Sequence, residues 1–111
     1  MYSGTVYMIS CLSCSEKYVG ETGRPLCVRM KEHLDGKDRS RASTPLGAHR
    51  LQKHAGANFD VTVKILAREH QTSARKTLEA FWIQAESPEM NRKEECISIT
   101  RELSPYLGQI F

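Results

Sequence analysis

Two stretches near the amino terminus are rich in β-branched and aromatic residues and are separated by a polar turn. They are GTVYMIS at residues 4–10 and KYVGET at residues 17–22, with CLSCSE between them. Short runs of this composition, bounded by turn residues, are typical of β-strands. The pattern therefore predicts an antiparallel hairpin at the start of the chain.

The next two segments follow helical spacing. RPLCVRMKEHL has a proline at a first-turn position and apolar residues three and four apart, which predicts a helix over residues 25–35. The segment DGKDRSRAS that follows is polar and has no periodicity, so we expect a basic loop that faces solvent or DNA. In TPLGAHRLQKHAG, Thr44 is suited to cap a short second helix and Gly56 is suited to end it.

The remaining pattern predicts one more strand and further helix. FDVTVKILA alternates, which predicts a strand that carries on one face Phe59, Val61, Val63 and Ile65. TSARKTLEAFWIQAES predicts a helix with a stripe that we interpret as core and not as a binding surface, formed by Leu78, Phe81, Trp82 and Ala85. Beyond it, the pattern predicts a last helix from Glu94 to Leu103 that Pro105 would end.

This order of elements predicts a fold of the α/β (α+β) class, with a small three-stranded antiparallel sheet flanked by helices. The chain has 111 residues, of which 40% are apolar. That is enough for one compact core and too little for two. We therefore expect residues 1–111 to form a single domain.

Hydropathy and cysteine content indicate the setting in which the chain works. The apolar runs are only a few residues long, and MYSGTVYMIS lacks the basic leader and apolar stretch of a signal peptide. We therefore expect a soluble, intracellular protein that does not bind membranes, a setting that argues against a disulfide framework. Cys11 and Cys14 form a C-x2-C pair that suits a metal, whereas Cys27 and Cys96 are expected to pack as small apolar side chains.

Positive charge is concentrated in one part of the chain. The formal net charge is +3, yet residues 24–53 contain eight Lys or Arg against three Asp or Glu. A solvated face would explain such a block, but its position next to the second predicted strand favours binding of nucleic-acid phosphates. The candidate DNA-binding residues are Arg24, Lys31, Lys37, Arg39 and Arg41.

The predicted elements place five polar residues where they could converge. Tyr7 and Tyr18 lie in the two hairpin strands, Arg29 and His33 share a helix face one turn apart, and Glu79 lies in the later helix. The glutamate in LEAFWI is informative because a charge beside an apolar stripe is avoided unless it is paired or binds a metal. The pattern thus indicates a candidate polar site assembled from separate parts of the chain.

These residues carry a resemblance to a known family that extends from Gly4 to about Asn91. TVY and YVG in the two strands resemble the two motifs of the GIY-YIG endonucleases, and they are followed in order by Arg29, His33, Glu79 and Asn91. The resemblance implies the small three-stranded sheet of that family and a metal-dependent endonuclease that hydrolyses phosphodiester bonds of DNA. Glu21 departs from the lysine or glutamine that related enzymes often have at this position.

The resemblance implies a role for each of the two charged residues. Glu79 would be the protein ligand of a catalytic Mg²⁺ or Mn²⁺, whose other positions would be filled by water and phosphate oxygens. Arg29 would donate two parallel hydrogen bonds to the scissile phosphate. The alternative for Arg29 is a surface ion pair with Glu32.

The neutral residues receive roles in the same way. Either Tyr7 or Tyr18 would be the general base, although a strand tyrosine often only packs. His33 would orient a tyrosine or a water molecule, or would shuttle a proton, and the alternative is an ordinary polar helix residue. Asn91 would hold the end of the glutamate helix or bond near the site, which is closer to scaffolding than to catalysis.

A second resemblance narrows the subtype. The C-x2-C pair in the hairpin turn and the later HRLQKH are similar to the endonuclease domain of Penelope-like retroelements. Each spacing suits two ligands of a tetrahedral zinc ion. The resemblance implies a structural Zn²⁺ held by Cys11, Cys14, His49 and His54, with His70 as a substitute ligand. The alternative is two exposed thiols and two unrelated helix histidines.

The expected function is therefore a DNA endonuclease that nicks or cuts DNA and leaves a 3′-hydroxyl. In a retroelement, that end could prime a reverse transcriptase domain of the same polypeptide, and the work would take place in the nucleus. Two alternatives stay open. One is a nucleic-acid-binding module that no longer cuts, and the other is a zinc-stabilised protein-interaction domain.

Overall fold

The computed structural model describes residues 3–91 of the chain. These residues form three strands and three helices: β1 (Ser3–Cys11), β2 (Lys17–Pro25), α1 (Leu26–Asp38), α2 (Pro45–Lys53), β3 (Val61–Arg68) and α3 (Thr72–Glu86). The helix predicted from Glu94 to Leu103 lies outside the described residues. No described helix is long and apolar enough to cross a membrane.

The sheet has the order β2-β1-β3, and both pairings are antiparallel. The prediction of a three-stranded antiparallel sheet flanked by helices is thus confirmed. Tyr7 lies at the centre, opposite Gly20 on β2 and Ile65 on β3. The predicted hairpin was too short, because β2 continues past residue 22 until Pro25 pairs with Ser3.

Helices cover both faces of the sheet. One core combines β1 with α2 and the segment before β3, through Tyr7, Ile9, Cys11, Leu46 and Phe59. The opposite core combines the sheet with α3, through Val6, Val19 and Ile83. β1 contributes to both cores because successive strand residues point to opposite faces. Full burial of each large apolar side chain is worth about 1.5–3 kcal/mol, so the central strand anchors the domain.

The connection between α1 and α2 folds tightly because two glycines leave room for it. A Cβ atom on Gly36 would lie 2.5 Å from the Thr44 hydroxyl, and one on Gly47 would lie 2.0 Å from the carbonyl oxygen of Arg41. Thr44 also caps α2 as predicted, since its Oγ1 accepts a hydrogen bond of 3.2 Å from the Gly47 amide. This corner fixes α2, and with it His49, against the sheet.

Two expectations about burial are wrong, those for Ala85 and Cys27. On α3 the buried apolar residues are Ala80 and Ile83, whereas Ala85 of the predicted stripe is exposed. Val63 of β3 is 43% exposed because α1 covers only part of this end of the sheet. Cys27 is exposed as well, since it lies on α1 at the rim of the same uncovered patch.

Candidate functional site

Two tyrosines and a histidine meet where β1, β2 and α1 come together. The Tyr7 hydroxyl and His33 Nε2 are 2.8 Å apart, and both side chains are buried. The Tyr18 ring lies edge-on to His33, with 5.3 Å between ring centroids. Gly20 is required here, because a Cβ atom at this position would lie 2.6 Å from the Tyr7 oxygen and 2.9 Å from the Tyr18 ring. The predicted convergence of these three side chains is therefore present.

Arg29 joins this group from the helix. Its charge acts on the Tyr7 hydroxyl, whose pKa it lowers against the larger effect of burial, and its guanidinium donates to Glu32 Oε1 at 2.9 Å. Arg29 therefore forms the ion pair with Glu32 that was its alternative role, and it also lies close enough to Tyr7 to act on its pKa. Glu32 also accepts two hydrogen bonds from Arg24, and these bonds, with those from Arg29, lower the pKa of Glu32 to about 2.

Burial sets the protonation states of the central pair. It raises the pKa of Tyr7 to about 12, against the opposing effect of Arg29. It lowers the pKa of His33 to about 4, and Arg29 acts in the same direction. Both groups are therefore neutral near pH 7, and their hydrogen bond joins a hydroxyl to an uncharged imidazole. A phenolate at Tyr7 would need an additional positive charge nearby.

Glu79 comes from α3, which packs on the opposite face of the sheet from α2. Its side chain is partly buried, and its charge adds to the rise in the pKa of Tyr7, as does that of Glu21. Carboxylate oxygens are ligands that hard divalent cations bind. The residues present therefore fit a Mg²⁺ or Mn²⁺ site that needs one protein carboxylate and leaves other positions to water and phosphate.

A buried ion pair between Arg75 and Glu21 ties α3 to β2 close to Glu79. Arg75 donates to the Glu21 carboxylate and to the carbonyl oxygens of Glu69 and His70. Burial raises the pKa of Glu21, but the hydrogen bonds from Arg75 and Lys76 outweigh this effect and hold the pKa below its ordinary value. Sequence reasoning missed this pair, and the only signal was that Arg75 stands one helical turn before Glu79.

Asn91 holds the edge of the sheet beside Tyr18. Its Oδ1 accepts a hydrogen bond from the Val19 amide and its Nδ2 donates to the Val19 carbonyl, both at 2.9 Å. A side-chain amide thereby pairs with β2 as a further strand would. This geometry supports the scaffolding role expected for Asn91.

A second polar cluster lies at the hairpin turn. The ligand atoms of Cys11, Cys14, His49 and His54 all lie within 4.8 Å of one another. The individual contacts are 3.5 Å for Cys11 to His54, 3.3 Å for Cys14 to His49, and 3.1 Å between the two Nε2 atoms. The predicted four residues thus converge, whereas His70 lies at the start of α3 and is not among them.

These distances are close to those around a tetrahedral ion, although the two histidine nitrogens are slightly nearer at 3.1 Å and Cys14 to His54 is slightly longer at 3.9 Å. Bonds of about 2.0–2.3 Å at tetrahedral angles separate neighbouring ligand atoms by about 3.3–3.8 Å. Glu16 Oε1 lies 3.4 Å from Nδ1 of His49, which is the outer carboxylate contact that orients many metal-binding histidines. His54 stacks on Phe59 with ring centroids 4.8 Å apart. The cluster is therefore suited to hold a metal ion with its ligands already in place.

The five candidate DNA-binding residues separate into two groups. Four lie on the surface around α1 and the following loop, although some have carboxylate neighbours: Arg24, Lys31, Arg39 and Arg41. The side chain of Lys37 is only 7% exposed, and its ammonium donates to Asn58 Oδ1 and to the Phe59 carbonyl. This placement favours a structural role for Lys37, because a phosphate contact would have to break both bonds.

The cluster thus combines two strand tyrosines, a helix arginine and histidine, and a glutamate from a later helix, all from separate parts of the fold. A family model of the GIY-YIG catalytic domain matches residues 3–94, and the chain belongs to this family. Membership indicates a nuclease, that is, a hydrolase of phosphodiester bonds with DNA as substrate. No curated protein and no solved structure matches the chain.

Proposed function

We propose that this chain is a metal-dependent DNA endonuclease in which Tyr7, Tyr18, Arg29, His33 and Glu79 form one active site. The observation that carries the proposal is the convergence of Arg29 and the neutral Tyr7–His33 pair with the charge of Glu79 at the β2 edge. Cleavage of a phosphodiester needs a bound phosphate, an activated water and stabilisation of developing negative charge. This set of side chains contains a candidate for each requirement.

Arg29 is the residue we assign to the scissile phosphate. Its guanidinium is about one-third exposed, and the Glu32 carboxylate holds it from one side. A planar guanidinium fixed in this way presents its remaining N–H groups in a defined direction. Two charge-assisted hydrogen bonds to phosphate oxygens would both place the substrate and stabilise the transition state.

The two tyrosines receive different roles in this proposal. Tyr18 lines an open groove together with Arg29, whereas Tyr7 is fully buried and bonded to His33. We therefore assign activation of the attacking water to Tyr18, which the substrate can reach. Tyr7 and His33 then act as positioning residues, because their neutral hydrogen bond ties β1 to α1, the helix that carries Arg29.

The catalytic ion would be Mg²⁺ or Mn²⁺ held by Glu79. When bound, such an ion supplies positive charge that stabilises the phosphate oxygens and lowers the pKa of water. A second, structural metal is proposed at the turn, with Zn²⁺ bound by Cys11, Cys14, His49 and His54. Two thiolates and two imidazoles are the donor set that zinc prefers, and they differ from the oxygen donors that suit Mg²⁺.

The same cysteine and histidine pairs support the narrower proposal that this domain resembles the endonuclease of Penelope-like retroelements. Under that proposal, the chain acts in the nucleus and provides a 3′-hydroxyl that primes a reverse transcriptase domain of the same polypeptide. The support is the position of the C-x2-C pair in the β1–β2 turn and its closure by histidines of the α2 region.

Supercoiled plasmid incubated with Mg²⁺ or Mn²⁺ tests the proposed function directly. The wild-type chain should convert it to relaxed or linear forms, and EDTA should stop the reaction. Glu79→Gln should bind DNA as the wild type does but lose metal-dependent cutting, since the amide keeps the volume and removes the ligand charge. Undiminished cutting by this variant would remove Glu79 from the site, and intact plasmid with wild-type protein would favour a module that only binds DNA.

A further inference from the structure

A groove beside the tyrosines has no part in the function proposed so far. It encloses about 550 Å³ and shares Tyr18 and Arg29 with the active site. Its other walls come from the loop before α2, from Ala48 and Gln52 on α2, and from the segment Glu89 to Asn91. We call this space the α2 groove. Any group bound in it would lie next to the phosphate that Arg29 holds.

The size of the α2 groove suits one nucleoside unit. Sites for small organic molecules commonly enclose about 300–1,000 Å³, and enzymes that draw a nucleotide out of the helix receive it in a pocket of this kind. The wall residues Ala42 and Ala48 are small and leave the space open. A contact to the DNA backbone alone would need only a surface and not a recess.

The charge of the groove favours a base over a second phosphate. Among its described lining residues, Arg29 is the only one with a positive side chain, and Glu89 adds a carboxylate. Glu89 Oε1 accepts a hydrogen bond of 3.1 Å from the Lys17 amide, which fixes the carboxylate in place. A phosphate beside Glu89 would be repelled, whereas an uncharged ring with N–H donors would not.

The walls also supply the contacts that a base uses. The Tyr18 ring and the Met90 thioether provide faces on which a flat ring can pack, and stacking on an aromatic side chain accepts every base. The amide of Gln52, which is exposed, offers both a donor and an acceptor to the edge of a base. The groove thus combines stacking surfaces with one adaptable polar group.

We propose that the α2 groove binds the base and sugar of one unpaired nucleotide next to the scissile phosphate, so that the enzyme prefers DNA with an extrahelical position at the cut. This inference rests on the proposed function, since it takes Arg29 as the residue that holds the phosphate. An unpaired nucleotide is preferred because a paired one must first lose its stacking and base pairing.

Short duplexes that differ only in one extrahelical 2-aminopurine test the inference. Glu79→Gln should bind the bulged duplex about tenfold more tightly than the fully paired one. Binding should also shield the extrahelical 2-aminopurine from acrylamide quenching, because a base in the groove is removed from solvent. The wild type with Mg²⁺ should cut within one nucleotide of the bulge, at about ten times its rate on the paired duplex.

Two variants on α2 provide a matched comparison. Ala48→Leu places a larger side chain in the groove, so the ratio of bulged to paired binding should fall to about one and the shielding should disappear. Leu51→Gln changes a residue of the same helix that is 44% exposed and does not line the groove. It should keep the ratio and the shielding of the wild type.

The outcomes separate this inference from the proposed function. If the wild type cut both duplexes at the same rate and did not shield the 2-aminopurine, the proposed role of the α2 groove would be wrong. The proposed nuclease function would be unaffected. If the protein shielded the 2-aminopurine and preferred the bulged duplex but did not cut it in Mg²⁺ or Mn²⁺, the proposed role of the groove would be supported. The proposed endonuclease activity would be contradicted. A free nucleoside monophosphate could also displace the labelled bulged duplex. If it did so at the same concentration as unlabelled bulged DNA, the groove would bind free nucleotides, and the proposal that it holds a nucleotide of the DNA strand would be overturned.

Discussion

The proposed active site and the Cys/His cluster both include a residue of β1 but are organised differently. In the Cys/His cluster, all four ligand atoms already lie within 4.8 Å of one another. In the active-site cluster, Tyr7 and His33 are in contact, whereas Glu79 comes from the opposite helix layer and the site opens into a groove of about 550 Å³. One cluster is closed around a metal-sized space and the other is open to a substrate.

The difference reflects what each cluster must do. A structural metal site gains when the fold holds its ligands at the bonding distance, because metal binding then adds directly to folding free energy. A catalytic site must leave room for a phosphodiester and has to complete its ligand set with substrate oxygens. If this comparison is right, changes in one cluster should affect stability and changes in the other should affect cutting.

The largest effect is expected at Arg29. Arg29→Ala should lower the rate of DNA cutting by about 10²-fold or more, because removal of one transition-state donor has this scale of cost. Arg29→Lys should restore little, since lysine lacks the planar pair of donors. Single-turnover cleavage of a short duplex measures both variants.

Glu32→Gln is the matched control for Arg29, because it removes the carboxylate partner and keeps the guanidinium. It should change the cleavage rate only slightly. A loss equal to that of Arg29→Ala would mean that the ion pair matters and that Arg29 does not act on the phosphate. In that case the contrast between a catalytic and a structural cluster would lose its main support.

The next effect concerns the Cys/His cluster. Protein purified without added metal should contain about one zinc per chain with two sulfur ligands. Cys11→Ser should lower zinc content and the unfolding temperature together, since the ion binds the folded chain. Elemental analysis and thermal unfolding measure the two quantities.

Cys27→Ser controls for the loss of any thiol, because Cys27 is exposed and lies outside the cluster. It should leave both zinc content and stability unchanged, as should Glu79→Gln. Two results would contradict the zinc proposal: protein without zinc, or zinc that is lost in Glu79→Gln but kept in Cys11→Ser. The four residues would then be two thiols and two histidines that bind no metal.

The sequence predicted the elements well because their signals are local. The strands follow from β-branched alternation, and α2 follows from Thr44 and Pro45 at its first turn. The face of α3 was harder, because its neighbours decide which residues are covered. Ile83 is buried and Ala85 is exposed, although both lie on an apolar helix.

The sites show the same limit. Each half of the Cys/His cluster has a local spacing, but only the fold brings the turn against α2. Lys37 was predicted to bind DNA from its position in a basic segment, and its burial depends on Asn58 and Phe59, about twenty residues later. The Arg75–Glu21 pair joins residues 54 apart, so no local pattern could indicate it.

His33 should give the active-site cluster a pH dependence of stability. Its pKa is about 4 in the folded chain, against 6.5 for a free imidazole. Because the folded pKa is depressed, this contribution is fully present above pH 6.5 and is lost as the pH falls toward 4. The difference corresponds to about 3 kcal/mol at most.

Urea unfolding of wild type and His33→Asn across this pH range isolates the contribution, because both chains keep the same Cys/His cluster. The stability difference between them should shrink as the pH falls. A difference that stays constant would show that His33 is not held neutral by burial.

The smallest effect is expected on the surface around α1. Arg39 is 65% exposed and, among residues 3–91, is paired only with Asp35 at the adjacent helical turn, a contact that DNA phosphate can replace. If Arg39 contacts a phosphate, Arg39→Ala should weaken binding of all DNA sequences alike and reduce the slope of log affinity against log salt by about one. Fluorescence anisotropy with Glu79→Gln as the background measures this slope without cutting.

Lys64→Ala is the control, because Lys64 is exposed on β3, at the edge of the sheet away from β2, and it should leave the slope unchanged. Equal slopes for both variants would mean that the basic residues after α1 form only a solvated face, and that DNA is held by the open cluster and the α2 groove alone.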